Sequence, residues 1–359
     1  MTVLILAPAA SAGAPPLTHL LDDARTALAA HHRTGFLSAG AAEVQVVREP
    51  VDGSAFGDRL RRLVADLGTP GLVVLGAASA PLASPGDRRA FVDAAAGEVP
   101  SALANNRYSA DILAVAQARQ ALDGLPGGLE SDNALPRWLA ETAGVPVRDL
   151  RTRRRLAMDV DSPLDLLLLE GVRGGPAMPV PADDEAVPVR TRLRQLRAIA
   201  ADPRAELLVA GRLAAVDLRW LERETRSRTR ALVEERGLRT GGAASLVAVG
   251  RTPNARPPHS LLGALLDQDG PGSLGRHVAS LAEGALLDTR VLLAHRLGAD
   301  ERSWPPAEDR YASDLLLPAR VRDPWLAELT AAAADAPVPV LLGAHTLVGP
   351  GARFALRRP

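Results

Sequence analysis

MTVLILAPAASAGAPPL, residues Met1–Leu17, opens on an apolar run followed by small residues, and it reads either as a secretory leader or as a first strand. A leader needs a positively charged start and a longer apolar stretch. This run has no such start, and Val3–Leu6 is only strand-length, so it reads as the first buried strand of a chain expected in the cytoplasm. No window reaches the roughly 18 unbroken apolar residues of a membrane span.

From that strand the pattern works outward. Further β-rich runs at Val44–Val47, Leu72–Leu75, Ile112–Val115 and Ala157–Val160 alternate with helical periodicity. Strands separated by helices predict an α/β fold with a mostly parallel sheet covered on both faces. Val172–Val189 is rich in Pro, Gly and acid and reads as a linker. Beyond it, strand-like runs at Leu207–Ala210, Leu246–Val249, Leu286–Leu293 and Val338–Leu342 accompany helical patterns at Asp217–Glu235, Ser260–Asp267, Ser273–Gly284 and Asp323–Asp335. The expectation is two domains, residues 1–171 and a smaller α/β Rossmann-like one at 190–359, joined by 172–189. A length of 359 residues accommodates two cores.

Composition narrows the chemistry. All 42 basic residues are Arg, which reads first as the codon bias of a GC-rich bacterial genome. It also rules out any step that needs a lysine amine. Balanced charge argues against nucleic acid or an anionic membrane as a partner. The absence of Cys excludes disulfides, thiolate metal sites and cysteine nucleophiles.

LAMDVDSPLDLLLL, residues Leu156–Leu169, carries the densest motif. On a strand, Asp159 and Asp161 would point to one side of the sheet at its carboxyl end, where open α/β sheets bind ligands. Mg²⁺ takes one or two carboxylates together with phosphate oxygens and waters, so this pair is a candidate metal site; two solvated strand-end acids are the plainer alternative. Ser162, Pro163 and Asp165 match an N-cap, an N1 proline and an N3 acid, and a capping box accounts for that third acid.

These residues also carry a resemblance. LAMDVDSPLDL looks like the Asp-x-Asp-Thr-Pro-x-Asp-Leu signature of glycosyltransferase-A-type nucleotidyltransferases, the phospholactate and molybdenum-cofactor guanylyltransferases among them. GLVVLGAASAPLASPGDRRAFVDAA (Gly71–Ala95) is similar to their strand-turn-helix segment reading Asp-x-Pro-Leu. ALANNRYSADILAV (Ala102–Val115) and SDNALPRWLAETAG (Ser131–Gly144) fall in the order of the acceptor-side strand and helix. The likeness covers about residues 1–170. It implies a nucleotide or small phosphorylated ligand, with Mg²⁺ on Asp159 and Asp161. Asn105, Asn106 and Asp111 would then meet base or acceptor, and Arg153 and Arg154 of RDLRTRRR (Arg148–Arg155) would hold phosphate.

Two departures stand beside it. Where the family places its metal-binding Asp before Pro-Leu, this chain has Ser79-Ala80-Pro81-Leu82, with no acid until Asp87. The phosphate-cradling first loop corresponds to LAPAASAGAPPL, which has one Gly and no Arg, leaving the backbone N–H groups of the following helix as the phosphate donors there.

The remaining constellations have structural readings as well. Asn105–Asp111 fits an Asx turn, and Asp132 fits an N-cap. The Arg148–Arg155 cluster fits a solvated loop. VDLRWLERETRSRTRALVEERGLR (Val216–Arg239) holds seven Arg against five acids, and Glu222 with Arg226 and Glu224 with Arg228 stand at helical i,i+4 spacing. Asp288, His295, Asp309, Asp314 and His345 make a metal site only if the fold gathers them, and no elbow motif supports a triad of Ser245, Asp288 and His345. Two functions follow: Mg²⁺-assisted transfer of a nucleoside monophosphate to a small phosphorylated acceptor, or a degenerate transferase fold serving as a ligand-binding or scaffolding module beside an operative second domain.

Overall fold

Strand β1 (Thr2–Leu6) sits inside a six-stranded sheet because its residues are apolar on both sides. Val3 and Ile5 pack into one core with Phe36, Phe91 and Val92, and Leu4 packs into another with Leu60, Val64 and Trp138. The computed structural model describes residues 1–48, 54–129, 131–236, 238 and 257–357. The strand expected at Leu246–Val249 and the residue Ser245 lie outside them.

The first sheet runs β2-β1-β3-β5-β4-β6, with β2 (Glu43–Val47), β3 (Leu72–Gly76), β4 (Ser101–Ala104), β5 (Ile112–Ala116) and β6 (Val147–Asp149). Only β5 runs antiparallel to its neighbours. Helices α1 (Pro16–Ser38) and α3 (Pro85–Ala95) cover one face; α2 (Phe56–Ala65), α4 (Ala118–Ala121) and α5 (Leu135–Glu141) cover the other.

The second sheet has four parallel strands in the order β10-β9-β7-β8: β7 (Glu206–Gly211), β8 (Arg228–Val233), β9 (Gly284–Asp288) and β10 (Val340–Gly343). Around it lie α6 (Pro163–Leu169), α7 (Asp183–Ala200), α8 (Ala215–Glu224), α9 (Leu261–Asp269), α10 (Leu274–Ala279), α11 (Thr289–Leu297), α12 (Ala307–Asp314), α13 (Pro324–Ala334) and two short helices, α14 (His345–Val348) and α15 (Ala352–Leu356). The α/β class with two mostly parallel sheets agrees with the sequence. No described helix is long and apolar enough to cross a membrane.

Several elements differ from their sequence reading. Residues 157–160 form no strand: a 3-10 turn at Arg154–Ala157 leads into an extended segment whose Asp159 bridges Ser79. Helix α7 starts at Asp183, inside the stretch read as linker. The helix expected over Asp217–Glu235 stops at Glu224, and Arg228–Val233 becomes edge strand β8. Its Arg228 and Arg230 reach across to Glu206 at 3.7 and 3.0 Å, so the i,i+4 ladder does not form. The strand expected over Leu286–Leu293 ends at Asp288, which accepts the Arg290 N–H at 3.2 Å and caps α11.

Leu17, Leu164, Leu167 and Leu168 belong to the core of the second sheet, together with Leu193, Leu208, Leu286 and Ala352. The two sheets therefore share apolar packing across the seam between them.

Candidate functional site

In the second sheet the chain steps from β7 to β8 on one side and then to β9 on the other. The strand order reverses between β7 and β9, and the carboxyl ends of those strands are where an open α/β sheet offers a ligand crevice. A small pocket lies there, lined by Ala210, Gly211, Glu234, Ser260, Asp288 and Val291 among others. Gly211 has φ +133° and a Cβ there would fall 2.2 Å from that of Asp288, so the strand must end in glycine for Asp288 to occupy its place.

Charges at this edge are paired. Arg212 holds both Asp288 oxygens, at 2.6 and 3.1 Å. Burial would raise the Asp288 pKa, but the neighbouring Arg212 charge and hydrogen bond bring it below the usual carboxylate range. One turn on, buried Arg290 grips Asp314 with two hydrogen bonds of 2.6 and 2.7 Å. Glu234 accepts from the Ser260 hydroxyl and from Leu261 N–H at 2.7 Å each, at the start of α9.

The seam brings Asp161 of the first half to 3.7 Å from His345 Nδ1 of the second, both side chains about a quarter exposed (26% and 27%). His345 follows β10, so it stands at the same carboxyl edge as Asp288. Asp165 accepts backbone N–H groups from Asp161 and Ser162 at 2.9 Å, the reach-back arm of the expected capping box. Burial, reinforced by the Asp161 charge, raises its pKa well above the ordinary carboxylate value. Asp159 is 6% exposed and lies under the segment formed by Ala78 and Ala80, whose backbones bond Val160 and Met158. Among the described residues no three acidic or histidine side chains gather as a metal cluster.

The first half's other candidates are engaged within the chain. Buried Asn105 donates to Leu156 O at 2.9 Å and to the Asp111 carboxylate at 3.0 Å, and it accepts from Asp111 N–H at 3.1 Å. Asn106 accepts from Tyr108 N–H at 3.1 Å in an Asx turn. Arg153 and Arg155 both bind fully buried Asp87, which also accepts the Ser84 N–H at the start of α3. Burial opposes its ionisation, yet the hydrogen bonds from Arg155, Ser84 and Arg153 hold its pKa at about 2. Burial raises the pKa of Asp217 on α8, and the charges of Arg353, Arg154 and Arg236 oppose that shift.

Where the resemblance places a metal-binding acid, Ser79 O instead accepts from Nε2–H of fully buried His32 at 2.9 Å, and Ala80 sits at φ +48°. At the start of α1, Pro15 supplies no side-chain cap. Glu308 of α12 does so: its carboxylate accepts from Leu17 N–H at 3.2 Å, Thr18 N–H at 3.1 Å and the Thr18 hydroxyl at 3.2 Å. The donors expected to meet phosphate thus meet a carboxylate from the second half.

The scattered acids and histidines of the second half separate. Asp309 accepts Arg322 and Asp323 N–H groups, and His295 contacts Asp267 at 3.0 Å, while Asp288, Asp314 and His345 stay near the seam. Sequence reasoning missed Glu308 and Glu234. No local signal marks either, because their partners lie in distant elements. No protein-family model, curated protein or solved structure matches the chain.

Proposed function

We propose that residues 1–171 are a nucleotidyltransferase-like half that no longer transfers nucleotides and serves as a scaffold, and that small-ligand binding belongs to the carboxyl edge of the second sheet, completed by Asp161 from the first half. The observation that carries this reading is Glu308 on the first turn of α1. A carboxylate bound to those N–H groups excludes a phosphate from them and opposes its approach by like charge. The commitment of Arg153 to Asp87 and of Asn105 to its own loop supports it further.

A thermal-shift titration with each nucleoside triphosphate, with and without Mg²⁺, tests the proposal. The expected result is no Mg²⁺-dependent shift with any of them. A Mg²⁺-dependent shift that disappears in Asp161→Asn would restore an active transferase with the metal on Asp159 and Asp161.

A further inference from the structure

We infer that the pocket at the carboxyl edge of the second sheet binds the ribosyl group of an uncharged ligand, with two adjacent hydroxyls donating to Glu234. This rests on the reading that this edge carries the ligand surface, and it names the ligand class. The pocket lies at the ends of β7 and β9 and measures about 210 Å³. A whole drug-sized ligand fills roughly 300–1,000 Å³, so this space takes one ring of a ligand.

The walls are shaped by two glycines. Gly211 lets β7 end against Asp288, and Gly263 lets α9 lie against α11, because a Cβ there would fall 2.4 Å from the His295 ring. His295 Nδ1 accepts the Ser260 N–H at 3.2 Å, so its Nε2 carries the proton that Asp267 accepts at 3.0 Å. Ser260 is thereby fixed where the pocket begins. Buried Leu262, Val291 and Leu292 line an apolar side.

Hydrogen-bond capacity on the polar side decides the chemistry. A carboxylate offers about four lone-pair sites. Asp288 has engaged its own: Oδ2 accepts Arg212 Nε–H at 2.6 Å and Arg212 N–H at 3.4 Å, and Oδ1 accepts Arg212 Nη2–H at 3.1 Å and Arg290 N–H at 3.2 Å. The Ser260 hydroxyl donates to Glu234 and accepts Gly263 N–H at 3.1 Å. Glu234 is only half engaged. Its Oε2 takes the Ser260 hydroxyl and its Oε1 takes Leu261 N–H, which orients the carboxylate and leaves one site on each oxygen. Two neighbouring acceptors match two adjacent hydroxyls, and hydrogen bonds to a carboxylate are the stronger kind.

The same arrangement disfavours a charged group. Among the described residues Glu234 has no ion pair, and the nearby Arg212 and Arg290 are already matched by Asp288 and Asp314. A phosphate in the pocket would meet an uncompensated carboxylate. An ammonium would attract Glu234 but lose its hydration against Leu262, Val291 and Leu292. A sugar ring sets C–H groups on that side and hydroxyls on the other.

Calorimetric titration of the full chain with adenosine, uridine, their 2′-deoxy counterparts and methyl β-D-ribofuranoside tests the site. A ribosyl compound is expected to bind saturably, and loss of the 2′-hydroxyl to weaken binding about tenfold or more. Glu234→Gln keeps one acceptor oxygen and is expected to erase that preference. Glu141→Gln, at the exposed end of α5, is expected to bind as the wild type does. The hydroxyl comparison is made on the wild type, so it decides the matter even should Glu234→Gln fail to fold. A nucleoside that outbinds the methyl riboside supports the site with a nucleoside as its ligand; equal affinities support it with a free sugar. Absent ribosyl binding, equal affinity for ribo and deoxy forms, a preference retained in folded Glu234→Gln, adenosine 5′-monophosphate binding tenfold more tightly than adenosine, or n-propylamine outbinding the methyl riboside would each overturn the assignment. The triphosphate titration reads the scaffold proposal separately: a Mg²⁺-dependent shift lost in Asp161→Asn sinks that proposal, whereas silence of every ribosyl compound removes only this site.

Discussion

His32 is fully buried beneath the Ser79 turn, with its pKa lowered to about 3 chiefly by burial and secondarily by the Arg88 charge. An unfolded chain protonates this ring near 6.5, so between that pH and about 3 the unfolded state binds the extra proton and stability falls as the solution is acidified. The full effect is roughly 5 kcal/mol. Urea unfolding at a series of pH values is expected to show this loss in the wild type and a much flatter profile in His32→Gln; equal slopes would refute the neutral buried ring. The candidate site at residue scale was half legible. The Ser162–Asp165 box was readable because its spacing alone defines it. The fate of Arg153 was not, since its partner Asp87 lies 66 positions away in the chain.

At the scale of elements, Gly211 closes β7 where Asp288 must fit. Gly211→Ala combines a φ of +133° with a Cβ contact of 2.2 Å and is expected to destabilise the protein by about 3 kcal/mol or more, measurable by chemical unfolding. Replacing Glu308 with Ala removes the acceptor of two α1 N–H groups and is expected to cost about 1–2 kcal/mol, with faster hydrogen exchange confined to the first turn of α1. Strands β1, β3 and β5 of the first half were readable because their apolar side chains alternate between two cores. Strand β8 was not: RTRALV places its charges on a solvent-facing edge, and the same Arg and Glu residues fit helical spacing equally well. β4 and β6 escaped notice because four residues of SALA and three of VRD carry too little periodicity. The apolar run from Leu286 looked continuous, and only the capping role of Asp288 divides it into strand and helix.

For the whole molecule, the apolar packing across the seam sets how the chain unfolds. Leu168 lies on α6 after the Asp161 motif yet packs in the core of the second sheet. Leu168→Ala is expected to cost about 2–5 kcal/mol and to lower one common unfolding transition, seen alike by fluorescence of Trp138 in the first half and Trp220 in the second. Two separated transitions would show that the halves unfold independently. The α/β class and two-sheet organisation were readable from hydrophobic alternation. The seam was not, because its contacts join residues more than a hundred positions apart.

The Glu308 cap also bears on synthesis. Leu17 N–H and its acceptor are 291 residues apart. At ribosomal rates of about 5–20 residues per second, α1 waits on the order of 15–60 s for its cap. During that interval the Leu164–Leu168 stripe emerges without the surface that later buries it. The nascent first half is thus exposed to chaperones and to its neighbours on the polysome until translation has passed α12.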